Sequence, residues 1–279
     1  MARNTDAADD LHDDFDLDDS FVESAASPEP ETKPKKQTDP EPKKRKQASA
    51  DTSASTEPKP KAKAKRHKNN TEPKRFSVPS SLPDQCTVWN TFMRKAYPNL
   101  TQLEIEDIAL QPPHMYSAAD SNEKEPSPTS PTFIEDLVKT ALSKGKGKNK
   151  VAHAAPQVLI VCSSALRVIE LVKRLRPVSK RPVAKLFSRH IKIDEQKKML
   201  KESAIDIAVG TPNRVVRLLK DQDLRVNRLK LVAIDCWQDD KMRVVVDMDD
   251  TRSDLFAIWR DVLLPASKNP DYNFKLRLI

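Results

Sequence analysis

From Gln157 to Ile279, short apolar runs alternate with segments whose apolar residues recur at helical spacing, and nothing else in the sequence constrains the fold as tightly. Gln157-Val-Leu-Ile-Val-Cys162 is uninterrupted, as a strand covered on both faces requires. Ser164 to Arg176 follows, with Leu166, Ile169, Val172 and Leu175 on one helical side. Val183 to Phe187 predicts a second strand, and Asp194 to Ser203 a helix capped by its own Asp. Ile205 to Val209 predicts a third strand. Thr211 to Lys220 predicts a helix with Thr at the N-cap and Pro at the first helical position. Leu229 to Asp235 (strand), Thr251 to Leu264 (helix) and Asn273 to Ile279 (strand) complete the series, with Arg243 to Val246 a short strand or loop. Strands separated by helices imply an α/β fold: a parallel sheet with right-handed crossovers.

Upstream, Val88, Trp89, Phe92, Met93 and Ala96 share a helical stripe between Thr87 and Tyr97, and Leu100 to Leu110 continues with Leu103, Ile105 and Ile108. Pro112-Pro113 ends it. After a polar, Pro-rich stretch from Asp120 to Pro131, Thr132-Phe-Ile-Glu135 has the form of a capping box opening a helix to about Ser143. The basic run Lys144 to Lys150 reads as a loop. These segments predict a helical extension over 81–145 of a lobe spanning 81–279.

Residues 1–80 are of another kind. The chain carries 49 Lys and Arg against 41 Asp and Glu, a net charge of +8, but that average conceals three segments. Residues 1–31 hold 11 acidic residues and 1 basic one, residues 33–75 hold 15 basic and 5 acidic, and the remainder is again +8. So few periodic apolar residues cannot repay the entropy of ordering, which predicts a disordered arm over 1–80. In its acidic part Leu11, Phe15, Leu17 and Phe21 interleave with carboxylates, as in a solvated tail or a short docking motif. In its basic part Lys43, Lys44, Arg45 and Lys46 form one cluster, and Lys61, Lys63, Lys65, Arg66 and Lys68 a second. Paired clusters of this kind fit a nuclear import receptor or nucleic acid. No apolar run reaches the roughly 18–20 residues that cross a bilayer, and the acidic start is unlike a signal peptide, so no membrane partner is expected. Cys86, Cys162 and Cys236 lie far apart and without metal-ligand spacing, which predicts buried thiols in a reducing compartment.

The strand Ile205–Val209 runs into Gly210-Thr-Pro-Asn-Arg214, and the strand ending at Ile234 is followed by Asp235-Cys-Trp-Gln238. This order resembles the first RecA-like lobe of DEAD-box RNA helicases, where a Thr-Pro-Gly-Arg turn binds the RNA backbone. Cys162-Ser-Ser-Ala-Leu-Arg167 is similar to that family's other backbone-binding turn, Pro-Thr-Arg-Glu-Leu. The departures are as informative. Gly145-Lys-Gly-Lys-Asn-Lys150 lacks the Ser/Thr that follows Lys in a phosphate loop and the apolar strand that precedes one. Cys236 stands where the resemblance calls for a Glu, and neither the linker nor the second lobe of a helicase follows Ile279. The expectation is that the chain is not an enzyme and uses no cofactor or metal.

A single degenerate lobe behind an acidic, then Lys-rich arm resembles the Cms family of nucleolar pre-ribosomal proteins, associated with the 90S pre-ribosome and the small-subunit processome. The resemblance rests on the arm, Val158 to Arg167, Ile207 to Arg214 and Asp254-Leu-Phe-Ala-Ile-Trp-Arg260. It implies a nuclear, nucleolar protein of small-subunit rRNA maturation, with pre-ribosomal RNA and ribosome-assembly proteins as partners. Two helix starts are the expected RNA contacts: Ser163, Ser164 and Arg167 at one, and Thr211, Asn213 and Arg214 at the other. Free amides and a partial positive charge at helix N-termini suit phosphates, and Arg adds a charge-assisted fork. The alternative is that these are capping residues kept for folding, with Arg214 in a surface ion pair. Trp89 and Trp259 belong to core stripes; Trp237 reads as core, or as a residue that stacks on a base or a partner.

Overall fold

The computed structural model describes residues 76–117, 126–128, 130–143 and 152–279. The expectations for residues 1–75 of the arm, including both basic clusters, and for the loop 144–150 lie outside the described residues. Residues 76–80, expected in the arm, join the lobe instead: Phe76 and Val78 pack against the core, and the Phe76 amide donates to Gln238 Oε1 at 2.9 Å.

Five strands form one sheet, in the order β2-β3-β1-β4-β5: β1 (Val158–Val161), β2 (Ala184–Leu186), β3 (Ile207–Gly210), β4 (Leu231–Ile234) and β5 (Lys275–Leu278). Every pairing is parallel, as the unbroken apolar runs predict. Side chains alternate between two cores. Leu159, Val161, Ala208, Val232, Ile234 and Leu276 face one; Val158, Ile160, Ile207, Val209, Leu231 and Ala233 face the other.

The connecting helices are α4 (Ala165–Leu175), α5 (Ile193–Glu202), α6 (Pro212–Lys220) and α7 (Asp249–Ala257). The expected helix over 251–264 is longer and irregular: α7 continues through a π-helical stretch, Ile258–Leu263, into a last turn, α8 (Leu264–Ser267). Pro265 offers no N–H to the carbonyl four residues back, so the regular ladder yields there. Arg243 to Val246 is loop and turn, with Val244, Val245 and Val246 buried.

The upstream segments are α1 (Leu82–Ala96), α2 (Gln102–Ile108), a 3₁₀ turn at Pro112–His114, and α3 (Phe133–Ser143). They are built into the lobe. Trp89 of α1 packs edge-on against Phe256 and Trp259 at centroid distances of 4.6 and 6.3 Å, and Trp259 Nε1 donates to Ile108 O at 2.7 Å. Gln85 Oε1 accepts the Leu278 amide of β5 at 3.2 Å. α3 lies in the other core, with α4.

Two caps differ from expectation. Glu135 makes no capping box with Thr132, because its carboxylate is held by Arg174 at 2.7 and 2.9 Å; the Thr132 hydroxyl donates to Asp136 instead. Helix α5 starts one residue earlier than expected, so Asp194 lies in its first turn, where its charge suits the helix dipole, and Glu195 accepts the Lys192 amide. Leu166 and Leu103, expected on buried stripes, are 60% and 73% exposed. Each stands near the start of its helix; α4 buries Val168, Leu171, Val172 and Leu175, and α2 only Ile105.

Candidate functional site at the carboxyl edge of the sheet

Parallel pairing sets the last residues of β3, β1 and β4 side by side: Val161 is in register with Gly210 on one flank and Ile234 on the other. The residues that follow, Ser163-Ser164, Thr211-Pro212 and Asp235-Cys236, therefore share one rim. The fold brings the two expected helix starts together.

At the first start, Ser164 caps α4: its Oγ accepts the Arg167 amide at 3.3 Å. The Arg167 side chain then turns inward. Its Nε donates to Asp235 Oδ2 at 2.6 Å, Nη2 donates to Oδ1 at 3.2 Å, and Nη1 pairs with Glu170 at 2.8 Å. The indole of Trp237 lies 5.1 Å from the guanidinium carbon. Arg167 is only 6% exposed. Burial opposes its charge, and the Asp235 carboxylate, then Glu170, more than reverse this, holding the guanidinium above its ordinary value. Ser163 is buried beside it.

At the second start, Gly210 has a steric reason. A Cβ there would fall 2.6 Å from Leu186 O and 2.7 Å from both Leu186 Cβ and Val215 Cγ2. The Thr211 amide donates to Leu186 O at 2.9 Å, and its side chain makes no cap. Asn213 is exposed, with Nδ2 3.2 Å from Asp254 Oδ2. Arg214 is 8% exposed; it donates to Gln196 Oε1 and Ile191 O, each at 3.1 Å. Gln196 in turn donates to Lys185 O and Phe187 O at 3.0 and 2.9 Å. No carboxylate among the described residues pairs with Arg214, and burial, then Arg217, push its pKa down.

Of the six expected contact residues, Ser164, Thr211 and Asn213 present surface, whereas Ser163, Arg167 and Arg214 are buried. Arg214 is in no ion pair among the described residues, whereas Arg167 reaches the exposed Glu170 from its buried position. Trp237, read as core or as a residue that stacks on a base or a partner, is 43% exposed, which does not fit the core reading, and it shares the rim with Leu166. Sequence reasoning missed the Arg167–Asp235 fork and the Gln196 relay. The first joins residues 68 positions apart, and parallel topology alone aligns them. The Cys162 and Cys236 thiols are buried, and desolvation, then Asp235, push them far above the ordinary thiol range. No group of His, Cys, Asp and Glu among the described residues is arranged to hold a metal ion.

Comparison with known proteins decides the family. The family model described as "CMS1: U3-containing 90S pre-ribosomal complex subunit" matches residues 28–266. The chain belongs to this family. It is a family of ribosome biogenesis, as the degenerate helicase-like sequence implied. Curated relatives include Protein CMSS1 of Danio rerio, 39% identical over 40% of this chain and 39% of its own length, and Protein CMSS1 of Homo sapiens, 33% identical over 44% of each. Protein CMS1 of Chaetomium thermophilum is 31% identical over 54% of this chain and 61% of its own length. The match thus spans less than two thirds of the length of each of these relatives. Among solved structures, the yeast DEAD-box splicing factor Prp28 covers 67% of this chain and 42% of its own, at 17% identity and a TM-score of 0.43. S. cerevisiae Dbp5 bound to RNA and ADP BeF3 is 13% identical over 53% of this chain and 32% of its own, with a TM-score of 0.35.

Proposed function

We propose that this chain is a non-catalytic RNA-binding and scaffold subunit of small-subunit ribosome assembly. It would work in the nucleus and nucleolus, with pre-ribosomal RNA and ribosome-assembly proteins as partners. The observation that supports the non-catalytic part is the Arg167–Asp235 fork. A carboxylate at the end of a central strand serves as a base or a magnesium ligand only if its oxygens are open, and here both accept from one guanidinium. The two thiols nearby are held protonated and are poor nucleophiles.

RNA contact at the rim falls to the helix starts themselves. Pro212 has no N–H, so the amides left without a partner inside the helices are those of Ala165 and Leu166 in α4 and of Asn213 and Arg214 in α6, with Ser164, Thr211 and the Asn213 side chain beside them. Arg167 and Arg214 act as positioning residues: one ties α4 to β4, and the other holds α6 to the end of β2 through Gln196. Lys43 to Lys46 and Lys61 to Lys68 supply the import signal and a second basic contact. Photo-crosslinking of the full chain to a uridine-rich RNA, with peptide mapping, tests this reading. Crosslinks at 163–167 and 211–214 are expected; crosslinks from the arm alone would overturn the rim.

The exposed Leu166 and Trp237 favour a second reading, in which the rim docks on another assembly protein. In that case rim peptides would crosslink to protein and not to RNA.

A further inference from the structure

We propose that the opposite, amino-terminal edge of the sheet carries a second site for the phosphate backbone of RNA, in a basic cleft below β4 and β5. The proposal rests on the reading of the chain as an RNA-binding subunit but uses none of the rim residues. The cleft has a volume of about 550 Å³ and is lined by Tyr116, Asn227, Arg228, Lys230, Asn273 and Lys275, with Asp271 as its acid. Among the described residues the lining thus holds three cations and one carboxylate, with the Lys230 ammonium itself shut from solvent.

Beyond the cleft the imbalance continues. Asp206 lies between two guanidiniums, with Arg181 at 2.8 Å and Arg228 at 3.8 Å, so a single negative charge answers both. Arg228 is pinned by a hydrogen bond from Nη1 to Ala155 O at 3.1 Å, and its buried Nη2 has no hydrogen-bond partner. Lys275 is oriented through Pro113 O. Fixed cations in a partly buried floor focus a positive potential into a cleft, while Asn227 and Asn273, both exposed, offer neutral donors at its lip.

The extent of the basic surface fits a chain and not a small molecule. Arg181 precedes β2, Arg228 and Lys230 precede β4, and Lys275 opens β5. With strands ~4.8 Å apart, these residues step along an edge roughly 20 Å long. The exposed Arg225, in the loop before β4, adds a further cation. Its Lys, Arg and amide donors suit phosphate oxygens, so contact would be largely independent of sequence.

The test uses the full chain and a single-stranded RNA of mixed sequence, with affinity measured across salt concentration. Lys275→Gln combined with Asn273→Asp should weaken binding several-fold at physiological salt and lower the log–log salt slope by roughly 0.7 per lost phosphate contact. Should that variant melt early, Arg225→Glu at the exposed loop before β4 replaces it, with the same expected direction. Unchanged affinity and slope in a variant that melts like the parent would overturn the cleft. Asn213→Asp at the rim is measured in parallel. Loss there alone overturns the cleft and leaves the rim; loss at the cleft alone does the reverse. Loss at neither overturns both and leaves RNA contact to the arm. Loss of binding to an acidic peptide, with RNA binding intact, would also overturn the proposal.

Discussion

The sharpest constraints act on single residues. Gly210 lies so close to the Leu186 carbonyl that a methyl group requires backbone movement. Gly210→Ala should cost about 1–3 kcal/mol, read by denaturant unfolding, through overpacking. Arg167 and Asp235 behave as a unit, both nearly shut from solvent. Arg167→Met alone strands a buried carboxylate and should cost about 3–5 kcal/mol, while Arg167→Met with Asp235→Leu should recover most of that loss. A double-mutant cycle measures the coupling, and additive losses would contradict the buried fork. For the same reason, alanine at Arg167 or Arg214 reports on folding before it reports on RNA, and the exposed Asn213 is the better probe. The three thiols are buried, so iodoacetamide at mildly alkaline pH should label none of them until the chain is unfolded, as intact mass would show.

At the scale of elements, the helices before the sheet are part of the core. Trp89 and Met93 of α1 are shut from solvent, and Gln85 hydrogen-bonds the amide of Leu278 in β5. A chain shortened to begin after α2 should therefore bind a hydrophobic dye and lose cooperative melting, whereas a removable extension would leave both unchanged. Glu135 ties α3 to α4. Burial works to raise its carboxyl, and the hydrogen bonds from Arg174 overcome this, so it sits below the ordinary carboxylate value. A depressed folded-state pKa stabilises above the unfolded value of about 4.3, and that contribution is lost as pH falls through the folded value. Glu135→Gln should be less stable than the parent by on the order of 1 kcal/mol at neutral pH, with the gap closing in acid.

Much of the fold was legible because the three central strands are uncharged apolar runs, while β2 and β5 at the edges alternate with Lys and Arg, and each crossover helix carries its own stripe. Element order and the parallel sheet follow from that pattern alone. Strand order does not: adjacency of β1 to both β3 and β4 depends on packing across the whole chain. The site was half legible for the same reason. The helix starts at Ser164 and Thr211 are marked locally by cap residues and Pro. The inward turn of Arg167 depends on a carboxylate that only the sheet brings within 2.6 Å, and the exposure of Trp237 depends on the loop that follows β4.

At the scale of the whole molecule, the net charge of +8 is the residue of larger opposed parts: an acidic segment, a basic segment, and a lobe that is basic in its own right. Within the lobe the charge is uneven. At the carboxyl rim Arg167 is answered by both Asp235 and Glu170, while at the amino edge cations outnumber acids around the cleft. On the proposed reading, association with RNA rests on phosphate contacts and should weaken steeply with salt. The central claim is that Asp235 at the carboxyl rim is closed off by Arg167 and that the rim does no nucleotide chemistry. Isothermal titration of the full chain with magnesium and ATP, with and without RNA, tests it most directly. The account predicts no saturable heat in either case; a stoichiometric binding isotherm followed by phosphate release would contradict it.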